Sequence, residues 1–122
     1  MRVTIDIDSN RAFDVLRSWF TLRAITGKDP IGRVSSSGTG AHILVSGVPI
    51  SQQTAIVIRR VCGDDYARIT FDEESRGKPL QILFDEKHGR RAGIWHSDVE
   101  RLIHELCGGR YIGTVGSDGI YA

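Results

Sequence analysis

The sequence predicts an α+β domain built on a split-βαβ sheet, and its length and the order of its apolar patterns lead to this fold class. The 122 residues are few enough for one domain spanning 1–122. Alternating and helical patterns follow one another as strand, helix, strand, strand, helix, strand over residues 1–74. This order is typical of ferredoxin-like and RNA-recognition folds. Residues 75–122 are predicted to extend this core with a hairpin and a helix.

The first strand and the first helix are the clearest elements. Val3, Ile5 and Ile7 alternate with polar residues, as expected of a strand with one buried face. Apolar side chains then recur at helical spacing over residues 13–24, and Gly27 predicts the end of that helix.

The rest of the core contains two strands, a helix and a further strand. Strands are predicted at 32–36 and 41–46, joined by the serine-glycine turn, residues 35–40 (SSSGTG), whose small side chains let the backbone approach a ligand closely. A second helix is predicted over 51–61. Residues 67–71 alternate cleanly and are predicted as the fourth strand.

The last third is predicted to add a hairpin and a third helix. Its strands would be Leu80–Phe84 and Ala92–Trp95. The capping box Ser97-Asp98-Val99-Glu100 predicts a helix whose apolar stripe runs from Val99 to Leu106. A final strand is predicted near Tyr111–Val115.

Charge and cysteine content limit the functional classes. A net charge of +1 gives no support for a strongly basic nucleic-acid binder. Cys62 and Cys107 are far apart and fit no metal spacing, so they are predicted to be small buried hydrophobes. No apolar stretch resembles a signal peptide or approaches membrane-spanning length, which predicts a cytoplasmic, intracellular protein without a membrane partner.

The pair of aspartates at the first strand carries the most functional content. Asp6 and Asp8 are two residues apart, so on a strand both carboxylates project from one face, roughly 7 Å apart at the backbone. Like charges this close repel unless a cation neutralises them, and a divalent metal is the usual answer. The alternative is that one aspartate caps the following helix while the other lies in solvent.

Three further residues are candidates for the same site. His42 begins the strand that runs antiparallel to the first strand, so it is expected to face the carboxylates at that strand's end. Asp72 ends the predicted fourth strand, which would place it nearer the beginning of the first strand. Asp85 also follows an apolar pair and competes with Asp72 as a third carboxylate. Taken singly, each has a structural explanation: a satisfied histidine, or an acidic residue in a solvated loop.

Together these elements resemble the catalytic core of the archaeo-eukaryotic primase superfamily, which includes the primase-polymerases of plasmids and viruses. The matching segments are Ile5-Asp6-Ile7-Asp8, Gly40-Ala41-His42 and Phe71-Asp72, with the glycine-rich run Ser35–His42 before the histidine. The resemblance implies an RNA-recognition-like sheet and a minimal nucleotidyltransferase, or a nucleotide- or nucleic-acid-binding domain, that serves DNA replication in a mobile element or virus.

The resemblance also implies roles for individual residues. Asp6, Asp8 and Asp72 would be catalytic and would bind Mg²⁺ or Mn²⁺, and the partners would be a nucleoside triphosphate and nucleic acid. Cations on the later hairpin can neutralise phosphates, although a solvated turn is the alternative. The residues predicted to contact nucleotide lie on the serine-glycine turn, the following strand or this hairpin: Ser37, Gly38, Gly40, His42, Lys87 and Arg90.

Two other functional classes remain open. One is a non-catalytic nucleic-acid-binding or assembly module with structural aspartates, although the first strand has no aromatic residue for base stacking and Phe71 is the only candidate on the fourth. The other is a homo-oligomer that pairs edge strands or the stripe of the last helix. Exposure of Trp19, Phe20 and Trp95 bears on this choice, because an exposed aromatic patch favours an interface.

Overall fold

The fold is α+β, as predicted: in the computed structural model, which describes residues 1–75 and 80–108, four helices surround a small antiparallel sheet. The elements within these ranges are β1 (Val3–Ile7), α1 (Ala12–Thr26), β2 (Ile31–Val34), β3 (Ala41–Val45), α2 (Gln52–Val61), α3 (Tyr66–Glu74), β4 (Glu86–Lys87), β5 (Arg90–Arg91) and α4 (Val99–Cys107). The strand predicted near 111–115 lies outside the described residues.

The predicted antiparallel pairing of the first strand with the strand after the serine-glycine turn is confirmed, although β1 lies at the edge of the sheet. The strand order is β1-β3-β2, and β3 runs antiparallel to both neighbours. Asp6 is the register partner of His42, and Ile7 is the partner of Ala41. Gly40 precedes this pair, and a Cβ there would collide with the carbonyl oxygen of Ile7, so only glycine fits this close strand approach.

The prediction of a fourth strand is wrong, because residues 66–74 form α3. The Asp65 side chain caps this helix by accepting a hydrogen bond from the backbone N–H of Arg68 at 3.0 Å. Ile69 and Asp72 are its buried residues, and their spacing of three positions places them on one helical face. The alternation of residues 67–71 is short enough to fit either structure.

Side chains take over the hydrogen bonds that a fourth strand would make with β1. The Gln81 side chain accepts from the N–H of Thr4 at 2.7 Å and donates to the carbonyl of Arg2 at 2.9 Å. The Asp64 carboxylate accepts from the N–H of Asp6 at 2.8 Å. These backbone N–H and C=O groups at the outer edge of β1 therefore have hydrogen-bond partners without another strand.

The predicted hairpin is much shorter than expected. Residues 80–84 and 92–95 do not form the predicted strands; the hairpin consists of β4 and β5, where Glu86 lies opposite Arg91, with one further hydrogen bond from the N–H of Ala92 to the carbonyl of Asp85. The chain that follows pairs with the outer edge of β2: the N–H of Gly93 donates to the carbonyl of Val34, and His96 bridges Gly32. Both edges of the three-stranded sheet are thus covered within the described part of the chain.

The core lies between the sheet and helices α1, α2 and α4. The predicted apolar stripe of α4 is buried there, although Asp98 rather than Ser97 caps this helix, since its carboxylate accepts from the N–H of Glu100. None of the described helices is long and apolar enough to cross a membrane. The buried groups from the three helices include Val15, Trp19, Leu22, Ala55, Ile58, Leu102, Ile103 and Leu106.

Candidate functional site

A cavity of about 550 Å³ lies at the end of β1, and we call it the Asp6–His42 cavity. Asp6, Asp8 and His42 all line it, so the β1–β3 register brings together three of the residues that the sequence singled out. The distance from His42 Nε2 to Asp6 Oδ1 is 3.9 Å, which is too long for a hydrogen bond. Space therefore remains for a ligand to contact both groups.

The serine-glycine turn borders this cavity and presents hydroxyl groups to it. The Oγ atoms of Ser35 and Ser37 lie 3.0 Å apart, and Ser37 Oγ lies 3.0 Å from Thr39 Oγ1. All three residues line the cavity. Gly38 has φ +76°, a left-handed backbone conformation that glycine adopts readily, and this conformation lets the chain turn back into β3. The turn therefore supplies a row of donors and acceptors beside the carboxylates.

Arg33, which the sequence analysis did not identify, determines the tautomer of His42. Arg33 Nε donates to His42 Nδ1 at 3.0 Å. A guanidinium can only donate, so Nδ1 must offer its lone pair and the proton of the neutral ring is on Nε2. Burial is the main cause that lowers the pKa of His42 to about 4; the charges of Arg33 and Arg68 act in the same direction, and Asp85 opposes them. His42 is consequently a neutral Nε2–H donor at neutral pH.

Arg33 also anchors the segment before β4. Its Nη1 donates to Asp85 Oδ1 at 2.7 Å and its Nη2 to the carbonyl of Phe84 at 3.3 Å. The guanidinium lies 4.5 Å from the centroid of the Trp95 ring, and only 6% of the side chain is exposed. The hydrogen bond and charge of Arg33 lower the pKa of Asp85. Asp85, the competing third carboxylate, is thus engaged in this contact, outside the cavity lining.

Asp6 is held in an unfavourable environment for its charge. Burial raises its pKa to about 6, and the negative charges of Asp64, Asp65 and Asp8 act in the same direction, while Arg68 opposes them. Arg68 also lines this cavity, but its guanidinium donates to Asp64 Oδ1 at 2.6 Å and to Thr4 Oγ1 at 2.7 Å rather than to Asp6. A cation in the cavity would therefore relieve repulsion that this protein's own side chains leave in place.

The structure does not bring Asp72 to this cavity. Its Oδ2 accepts from Arg59 Nη1 at 2.7 Å and from the N–H of Gln81 at 3.0 Å. Arg59 is also held by Asp64, whose Oδ2 accepts from Nε at 2.6 Å. Asp72 therefore stabilises a buried ion-pair network. The third carboxylate residue that lines the cavity, beside Asp6 and Asp8, is Asp65, which the sequence analysis did not single out.

The two hairpin cations that were predicted to contact nucleotide, Lys87 and Arg90, differ in position. Lys87 lines the cavity, with Nζ 6.0 Å from the centroid of the Phe84 ring. Arg90 lies on β5, is exposed, and is not part of the cavity lining. A second concavity of about 470 Å³ has Glu73 as the one ionisable group among its described lining residues, so it offers less chemistry.

The carboxylates in the cavity suit a metal ion whose other ligands are substrate phosphates and water. Within residues 1–75 and 80–108, no group of three or more His, Cys, Asp or Glu side chains could hold a metal ion. Mg²⁺ commonly takes only one or two carboxylates from a protein, with substrate phosphates and water completing the shell. Asp6 and Asp8 facing one cavity meet that requirement, whereas a closed protein cage is not formed by the described side chains.

The surfaces expected to mediate self-association are mostly occupied. Both sheet edges are covered and the α4 stripe is buried in the described structure. Trp19 is buried, Trp95 stacks on Arg33 but is 37% exposed, and Phe20 is about half exposed on α1. These observations do not favour edge pairing as the function.

Comparisons of this chain with protein-family models, curated proteins and solved structures found no match.

Proposed function

We propose that this chain is a minimal primase-like domain that binds a nucleoside triphosphate together with Mg²⁺ or Mn²⁺ in the Asp6–His42 cavity. The single observation that supports this most is the convergence of two carboxylates, a neutral histidine donor and the hydroxyls of the turn on one cavity. Carboxylates suit the metal, and N–H and O–H donors suit phosphate oxygens. The concavity around Ser51 and Glu73 has one carboxylate and neither a histidine nor a cationic side chain among its described lining residues.

Each side chain has a defined role in this proposal. Asp6 and Asp8 would hold the metal, which when bound supplies charge neutralisation for the attacking and leaving oxygens of nucleotidyl transfer. His42 donates its Nε2–H to a phosphate oxygen. It does not act as a general base, because Nε2 carries the proton and Nδ1 is held by Arg33. Lys87 adds a positive charge for the phosphates.

The scaffold is proposed to be a reduced split-βαβ sheet. The order β1-β3-β2 and the connection through α1 and α2 follow that arrangement, while α3 occupies the sequence position of the fourth strand. The side chains of Gln81 and Asp64 satisfy the edge that the fourth strand would cover.

A second candidate is nucleotide or nucleic-acid binding without transfer. The observation that favours it is that Asp72 and Asp85 are both committed to arginines, so the third carboxylate of the primase pattern is missing from the cavity. Under this alternative the same ligand binds, but no nucleotide is added to a primer. Transfer would instead require Asp65 to take the role expected of Asp72.

Calorimetric titration with Mn²⁺ and ATP tests the proposal. Wild type should bind, the double variant Asp6→Asn/Asp8→Asn should not, and the control Asp29→Asn should bind like wild type. Asp29 is a suitable control because its side chain is 89% exposed and forms a surface ion pair with Arg23. Equal binding by the double variant, or no binding by wild type, would contradict the proposal. Primer synthesis by a binding-competent wild type separates transfer from binding alone.

A further inference from the structure

One part of the Asp6–His42 cavity lining is apolar, in contrast to the carboxylates and hydroxyls. Phe71 on α3 and Ile82 and Phe84 in the segment before β4 all line it. Phe71 is 48% exposed and Phe84 is 59% exposed. Large apolar side chains that line a cavity and remain this accessible are typical of ligand-binding surfaces.

Both aromatic residues are carried by anchored backbone. Phe71 lies on a helix whose buried Asp72 pairs with Arg59. The carbonyl of Phe84 accepts from Arg33, and the adjacent Asp85 accepts from the same guanidinium. The rings are therefore presented by backbone that is tied to buried arginines, so little ordering entropy is lost when a ligand packs on them.

We propose that Phe71 and Phe84 form a stacking subsite for the base of the nucleotide. This inference rests on the proposed function, since the phosphates would be bound at His42 and Lys87 of the same cavity. Every nucleobase has a π-face, and stacking on an aromatic side chain is tolerant of base identity. Phenylalanine and isoleucine cannot hydrogen-bond to base edges, so the subsite distinguishes a nucleotide from bare polyphosphate but discriminates little among bases.

The test compares two probes that share phosphates but differ in the base. Mn²⁺ with ATP, and Mn²⁺ with inorganic tripolyphosphate, are titrated calorimetrically into wild type. ATP should bind at least about 5-fold more tightly than tripolyphosphate, because one base stacked on an aromatic ring is worth upward of about 1 kcal/mol. UTP should bind within a few-fold of ATP.

Variants locate the effect on the two rings. In Phe71→Leu/Phe84→Leu the advantage of ATP should disappear while tripolyphosphate affinity stays unchanged. Tyr66→Leu is the matched control: Tyr66 is an aromatic residue on the same helix, 77% exposed and not part of the cavity lining. The single variants Phe71→Leu and Phe84→Leu, each checked by circular dichroism, provide the readout if the double variant does not fold.

The outcomes distinguish failure of the stacking subsite from failure of the proposed metal–nucleotide site. Tripolyphosphate binding without any advantage for ATP, or an advantage that survives the double variant, would overturn the stacking subsite and leave the phosphate and metal site standing. Failure of wild type to bind either probe would overturn both.

Discussion

Replacing Asp6 with asparagine should stabilise the protein, and the gain should depend on pH. The folded carboxyl has a pKa of about 6 against an ordinary value of 3.8, mainly because of burial. The unfolded chain therefore ionises near pH 4, while the folded chain keeps its proton until about pH 6. Stability from this group is complete below the ordinary pKa and is lost as pH rises through the folded pKa.

The size of the effect follows from that shift. The difference between a pKa of 3.8 and one of about 6 corresponds to about 3 kcal/mol at most. The Asp6 side chain is 31% exposed, so solvent screens part of its repulsion, and a gain of about 1–2 kcal/mol is expected above pH 7. Asparagine keeps the shape of the side chain without the charge, so packing should not change.

Urea unfolding of wild type and Asp6→Asn at several pH values between 4 and 8 measures this gain. The difference in free energy of unfolding should be near zero at pH 4 and should grow until about pH 7. Asp29→Asn serves as the surface control and should show no such growth. A variant that is less stable than wild type by the same amount at every pH would refute the reasoning and assign Asp6 a structural role.

Three further predictions concern residues around the cavity. Arg33→Met should cost about 1–3 kcal/mol of stability, since its hydrogen bonds are lost. It should also raise the pKa of His42 part of the way toward its ordinary value, because the positive charge is removed while burial, the larger cause, remains; ring NMR signals measure this pKa. Gly40→Ala should cost at least about 1 kcal/mol in urea unfolding, because its Cβ would meet the carbonyl oxygen of Ile7. Asp72→Asn should cost about 3 kcal/mol by leaving a buried guanidinium short of one partner, while nucleotide binding by the folded protein stays unchanged.

Each of these has a contrary result. An unchanged pKa of His42 in Arg33→Met would mean that the charge of the arginine does not contribute to lowering it. A Gly40→Ala protein as stable as wild type would contradict the close approach of β1 to the turn. Loss of nucleotide binding in a folded Asp72→Asn protein would place that carboxylate in the site after all.

The sequence predicted the part of the site that depends on local pattern. Asp6 and Asp8 follow from period-two alternation at the end of β1, and the place of His42 at the start of β3 follows from the β2–β3 hairpin. The pairing of His42 with Asp6 joins strands that are distant in the chain, and it is expected from the split-βαβ order, in which the first and third strands are neighbours. The convergence of the serine-glycine turn on the same cavity follows from the same hairpin.

The parts that could not be predicted depend on distant contacts. Residues 67–71 fit a strand or a helix, and the buried pairs of Arg59 with Asp64 and Asp72 fix the segment as a helix. In the sequence, Arg33 looks like a surface residue of a short strand. Its role could not be predicted because its partner Asp85 is 52 residues away along the chain. Nothing local in the sequence indicates either arrangement.

Paramagnetic NMR with Mn²⁺ and ATP tests the central claim most directly, because it locates the metal. In ¹⁵N-labelled protein titrated with Mg²⁺–ATP and traces of Mn²⁺, the amide signals of Asp6, Asp8 and residues 35–42 should broaden first, and Asp6→Asn/Asp8→Asn should abolish this. Broadening centred on the concavity around Ser51 and Glu73, or no selective broadening at all, would contradict the assignment of the Asp6–His42 cavity as a metal–nucleotide site.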